Sequence, residues 1–156
     1  MNQTSYGQLR GDLVRMCSCR GPHAGFVHIR CLVANAEVKG EYDDKEYCDA
    51  LVSCAQCRQQ HRGAVNVALR RASWLHFVGR AEKDEARMEA LYNLGAALNN
   101  VNRLDEALVV KEGYLATTRR LYGPGDSRAI RAEEGLAYVL KRQGTCLLYT
   151  SDAADE

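Results

Sequence analysis

The chain has 156 residues, with 21 Lys and Arg against 20 Asp and Glu, a length that holds one ordinary domain or two small ones. The near balance of charge leaves no basic or acidic tract for nucleic acid, and no apolar run is long enough to span a bilayer. The first fifteen residues are polar and lack the apolar centre of a secretory signal, so a cytoplasmic location is expected.

Residues 1–16 form an N-terminal flank, and cysteines dominate the segment after it. Seven occur in the chain, six of them between Cys17 and Cys57. In a reducing compartment such a cluster reads as metal ligands rather than disulfides. Cys17-Ser18-Cys19, His28-x-x-Cys31 and Cys54-x-x-Cys57 each bring two donors into one coordination shell without long-range folding. Cysteine sulfur and histidine nitrogen are the donor set zinc favours. The six candidates, Cys17, Cys19, His28, Cys31, Cys54 and Cys57, are too many for one tetrahedral ion and too few for two. Thiols packed as small hydrophobes are the competing reading. Cys48 has no neighbour at ligand spacing and reads as a thiol outside the metal set, with replacement of a missing ligand as the alternative. His23 reads as a solvated loop residue. His61 would be a ligand only in a different zinc pattern. No third orienting group accompanies His28 and Cys31, so a Cys-His nucleophile is not supported and no catalytic residue is assigned.

The string CSCRGPHAGFVHIRCL, from Cys17 to Leu32, followed by Cys54-x-x-Cys57, resembles the RING-CH variant of the RING zinc finger. Cys17, Cys19, Arg20, Gly21, Phe26, Val27, His28, Cys31 and Leu32 carry the central part of the match, and Cys54 and Cys57 its last pair. The resemblance covers about forty residues. It implies a cross-brace in which Cys17, Cys19, Cys54 and Cys57 close one structural zinc site, while His28 and Cys31 are half of a second. Two features depart from the family. Residues 1–16 contain no cysteine, so the first Cys-x-x-Cys is missing. Ala50-Leu51-Val52-Ser53 stands where the family tends to carry a Trp, and Trp74 lies beyond, on a predicted helix with a core role as the default. The missing pair predicts about one tightly held zinc per chain.

From Gly63 onward the pattern becomes helical. The first predicted helix covers Val65 to Val78, with an apolar stripe at Val65, Leu69, Ala72 and Leu75; His76 falls on it as a plain surface or core residue. Helices follow at Glu85 to Asn99 (Leu91, Leu94, Gly95, Leu98), Leu104 to Leu121 (Ala107, Val110, Tyr114, Leu115) and Arg128 to Arg142 (Leu136, Ala137, Leu140). Leu94, Gly95 and Leu98 recur as Leu136, Ala137 and Leu140 after about 42 residues, a period that signals stacked helical hairpins. Asp84 recurs as Asp126, each placed as a helix N-cap, and Asn102 recurs as Gly144. Arg70-Arg71 and Arg119-Arg120 read as solvated surface pairs.

The string ALYNLGAALNNVNRLDEALVVKEGYLATTRRLYGPGD resembles a tetratricopeptide repeat of the kinesin-light-chain type. Leu94-Gly95, Leu98, Asp105-Glu106-Ala107, Tyr114-Leu115 and Leu121-Tyr122-Gly123-Pro124 carry the match. The resemblance implies antiparallel helices brought close by Gly95 and Ala107 and stopped at Gly123-Pro124-Gly125. One repeat is complete and the next ends after its first helix, which predicts an exposed apolar edge on the Arg128–Arg142 helix. The zinc finger and the Val65–Val78 helix would cap the stack. The segment CLLYTSDAADE, from Cys146 to the final residue, resembles a translated sequencing-library adapter. It is set aside, Cys146 with it, and the chain is expected to be a fragment.

The expected architecture is mainly α. A flank at 1–16 and a partial finger at 17–62 precede tetratricopeptide-like repeats at 63–144 and the tail at 145–156. The expected function is a zinc-dependent protein–protein interaction module whose repeats bind partner proteins or peptides, with Asn93, Asn99 and Asn100 as candidate surface residues. The alternative, implied by the RING-CH resemblance, is a fragment of a ubiquitin ligase. Its finger would recruit a ubiquitin-conjugating enzyme, contributing orientation rather than covalent chemistry, and its repeats would bind the target.

Overall fold

The computed structural model of the chain describes residues 13–15, 17–19 and 25–152, with side chains up to residue 144. Among these residues the fold is mainly helical, as expected: one two-stranded sheet and six helices. The chain forms two compact units that divide between His76 and Phe77. Composition changes earlier, at Gly63, yet the helix that starts there belongs with the first unit almost to its end.

In the first unit, β1 (Leu13–Arg15) pairs antiparallel with β2 (Phe26–His28), Val14 opposite Val27. The Arg15 guanidinium lies 5.6 Å from the centre of the Phe26 ring on the partner strand, a cross-strand cation–π contact. The connection between these strands carries Cys17 and Cys19. Helix α1 (Ile29–Lys39) leaves β2 directly and buries Ile29, Val33 and Ala36, the i, i+4, i+7 face of an amphipathic helix. Helix α2 (Asp44–Val52) begins at Asp43, whose carboxylate accepts the Lys45 backbone N–H at 2.8 Å. It turns Tyr47 and Leu51, one helical turn apart, fully inward. Helix α3 (Gly63–Phe77) buries Val67, Leu69, Ala72 and Ser73, and its last residue, the buried Phe77, begins the second unit. Val65 and Leu75, expected in its stripe, are only half-buried. His76 stacks on Tyr47 with ring centres 4.2 Å apart.

In the second unit, α4 (Glu85–Asn100), α5 (Leu104–Tyr122) and α6 (Ser127–Asp152) succeed one another through short turns. Each N-cap predicted from the repeat is in place. The Asp84 carboxylate accepts the Arg87 N–H at 2.9 Å, and the Asp126 carboxylate accepts the Arg128 N–H at 2.9 Å. Gly95 is buried against α5, where an added Cβ would lie 3.0 Å from Lys111 Cε and 3.2 Å from Val110 Cγ1. Together with the fully buried Ala107 it sets the close approach of α4 and α5. Lys111 is itself buried, its ammonium 4.1 Å from the centre of the Tyr92 ring.

Helix α6 packs Ala129, Ala132 and Val139 inward and is tied to its neighbours by polar bonds. Arg142 donates to the carbonyl and side-chain oxygens of Asn99 at 2.6 and 2.8 Å, and Gln143 donates to Asp105 at 2.8 Å. Asn99 is therefore not a surface residue as expected but a buried tie between α4 and α6. The helix also passes its predicted end at Arg142 and runs on to Asp152. Gly144 alone costs a helix about 1 kcal/mol, and no proline comes after it to stop the helix. The turn at Asn102, which has φ 62, is thus not repeated at Gly144. No helix among the described residues is long and apolar enough to cross a membrane.

Candidate metal centre

Two short segments build the site. The first is Cys17-Ser18-Cys19, just after β1. The Arg15 side chain donates to the Cys17 carbonyl at 3.3 Å. Gly25 closes the other side: it is buried at φ 82, and a Cβ there would fall 2.8 Å from the Cys17 carbonyl oxygen. Only glycine combines that left-handed backbone with so close an approach.

The second segment is a reverse turn after α2. Ser53 and Gln60 form an antiparallel bridge. Inside it the Cys54 N–H donates to the Gln59 carbonyl and the Arg58 N–H to the Cys54 carbonyl, both at 2.9 Å. Arg58 closes the turn at φ 59, in the left-handed region. The Cys57 backbone N–H is thereby aimed at the Cys54 sulfur. Burial opposes its effect, the Gln56 N–H reinforces it, and the Cys54 thiol is held at about 7 against the usual 9.0. Backbone N–H donors on a sulfur stabilise its thiolate.

The two segments meet. The sulfurs of Cys17, Cys19, Cys54 and Cys57 all lie within 4.8 Å of one another, and Cys19 Sγ is 3.9 Å from Cys54 Sγ. Cys17 and Cys54 are buried, Cys19 is half-buried and Cys57 is exposed. Crowding of thiols has an electrostatic consequence. The Cys17 thiol, then that of Cys57, then burial, push Cys19 up to about 12. The Cys19 N–H lowers the Cys17 thiol, but burial and the sulfurs of Cys54 and Cys57 outweigh it and the net direction is upward. Four thiols this close cannot all ionise unless a cation joins them. The four cysteines are positioned to bind a metal ion.

Comparison of the chain with protein-family models, curated proteins and solved structures returned no match.

The remaining candidates lie outside this sulfur cluster. His28 stands at the N-cap position of α1 with an extended backbone and no side-chain capping bond, and is half-buried; Cys31 is exposed in the first turn of α1. Cys48 is half-buried on α2. His61 is buried just after the reverse turn, its backbone N–H donating to the Val52 carbonyl at 2.9 Å. Trp74 is half-buried on α3. Arg20, Gly21 and His23 lie outside the described residues, as does the Cys146 side chain.

Three contributors carry no signal in a spacing pattern. Gly25 acts through its missing Cβ, Arg58 through its backbone angle. Gln59 reaches across from the second segment, its side-chain oxygen accepting the Ser18 N–H at 2.8 Å.

Proposed function

We propose that this chain is a zinc-dependent protein-interaction module, in which Cys17, Cys19, Cys54 and Cys57 hold one structural zinc and the α4–α6 helices receive a partner peptide. The observation that carries the first half is the convergence of four sulfurs within 4.8 Å. Zinc–sulfur bonds of about 2.3 Å in a tetrahedron place sulfurs about 3.8 Å apart, and Cys19 and Cys54 stand at 3.9 Å. Soft thiolates in a tetrahedral set favour zinc over hard cations. Four protein sulfurs complete the shell, so the ion supports the fold rather than activating water. The RING-CH resemblance agrees with this assignment.

A groove of about 560 Å³ in the second unit supports the other half. Met88 and Tyr92 of α4, Tyr114 and Thr118 of α5 and Arg131 of α6 line it. It combines apolar and aromatic walls with a charged rim, the composition of a recognition site. The tetratricopeptide resemblance agrees with a peptide as its occupant.

Metal analysis of the purified chain tests the zinc assignment. The expected result is about one zinc per chain in the wild type and none retained in Cys54→Ser/Cys57→Ser. A metal-free wild type prepared with zinc present throughout would refute it.

A further inference from the structure

We infer that Gln59 is the positioning residue that locks the two ligand-bearing segments of the metal centre together. The inference rests on the zinc reading above and adds to it a residue that is not itself a ligand. Gln59 uses two acceptors in two directions. Its backbone carbonyl takes the Cys54 N–H at 2.9 Å, inside the reverse turn that aims N–H groups at the Cys54 sulfur. Its side-chain oxygen takes the Ser18 N–H at 2.8 Å. Ser18 is the single residue between Cys17 and Cys19, so holding its peptide N–H restrains the backbone that carries both sulfurs.

The bond joins residues 41 positions apart in sequence. It therefore acts where chain connectivity does not: each cysteine pair is short-range, but nothing local sets the distance from one pair to the other. Such outer-shell bonds orient ligands before the metal arrives, and losing one typically lowers metal affinity about 10- to 100-fold. Gln59 is solvent-exposed, so its replacement leaves no cavity in the core.

Cobalt(II) titration of the full chain, with zinc competition and chelator-driven release, tests this on two variants. Gln59→Met keeps the length of the side chain and removes the acceptor. Gln59→Glu keeps an acceptor oxygen. The expected result is a tetrahedral four-sulfur cobalt spectrum in wild type and both variants at saturation. Gln59→Met should bind about 10- to 100-fold more weakly and release metal faster, with Gln59→Glu restoring most of the loss. Wild-type affinity in Gln59→Met would overturn the inference, as would equal weakness in the two variants. A merely structural role would lower thermal stability without changing release from the folded, loaded protein. Should the wild type itself show no four-sulfur spectrum, the zinc reading fails first, and the outcome differs visibly from a failure confined to Gln59.

Discussion

Cys54 is the sulfur that the backbone prepares for ionisation. Held at about 7, with Cys19 at about 12 and Cys17 raised, it loses its proton before either of those two. Near neutral pH a divalent ion must therefore displace the protons of Cys17 and Cys19, and below pH 7 that of Cys54 as well. Apparent zinc affinity should fall as the pH is lowered, more steeply once Cys54 also retains its proton. Competition titrations between about pH 6 and 8 would show it, and a pH-independent affinity would contradict the four-thiol set. The metal-free fold obeys a separate rule. The lowered Cys54 value contributes stability above pH 9.0 that is lost as pH falls through about 7. The raised Cys19 value contributes below pH 9.0 and is lost as pH rises through about 12. Gly25 makes a second residue-scale prediction. Gly25→Ala forces a side chain into a left-handed backbone against the Cys17 carbonyl, and should cost about 1 kcal/mol or more. Thermal melts of the zinc-loaded chain measure it, and an unchanged midpoint would mean the Cys17 segment readily shifts aside.

At the scale of elements, the helices of the second unit are bounded by chemistry that is written locally. Asp84 and Asp126 stand one repeat apart and cap α4 and α6, Asp84 through the N–H three residues on and Asp126 through the N–H two residues on. Asp84→Ala removes the acceptor of the Arg87 N–H and should destabilise by about 1 kcal/mol. Urea denaturation checks this, with Asp84→Asn expected to retain most of the stability because its side-chain oxygen still accepts. These starts were legible because a cap acts within one turn of its own helix. The end of α6 was not: its predicted stop at Arg142 relied on the repeat, and no local breaker enforces it. The stripe of α3 was half legible, since Leu69 and Ala72 are buried while Val65 and Leu75 are only half-buried. Periodicity names a face, but neighbouring elements decide how much of it is covered.

Across the whole molecule, one repeat position takes two different environments. Leu98 on α4 is 1% exposed, and its counterpart Leu140 on α6 is 49% exposed. Among the described residues no helix covers Leu140 as fully as Leu98 is covered. Ile130 and Tyr138 are also exposed on α6. Truncation should therefore separate the two positions. Leu98→Ala should cost about 2–5 kcal/mol, as for a filled core site. Leu140→Ala should stay within about 0.5 kcal/mol, as for a surface site. Paired denaturation curves test the contrast, and equal losses would mean that Leu140 is covered in solution.

The sequence by itself determined the mainly helical class, the paired cysteines and the two aspartate caps. Each of these depends on neighbours a few residues away, whether a helical period, a ligand spacing or a first-turn N–H. The family resemblance implied which four cysteines share a site, and the tertiary structure decided that they meet. It brought Cys17 and Cys19 to Cys54 and Cys57 and left His28 and Cys31 on the start of α1. It also turned Asn99 inward and recruited Gly25, Arg58 and Gln59 around the sulfurs. Those outcomes depend on backbone angles and on contacts between distant segments, which spacing along a chain does not encode.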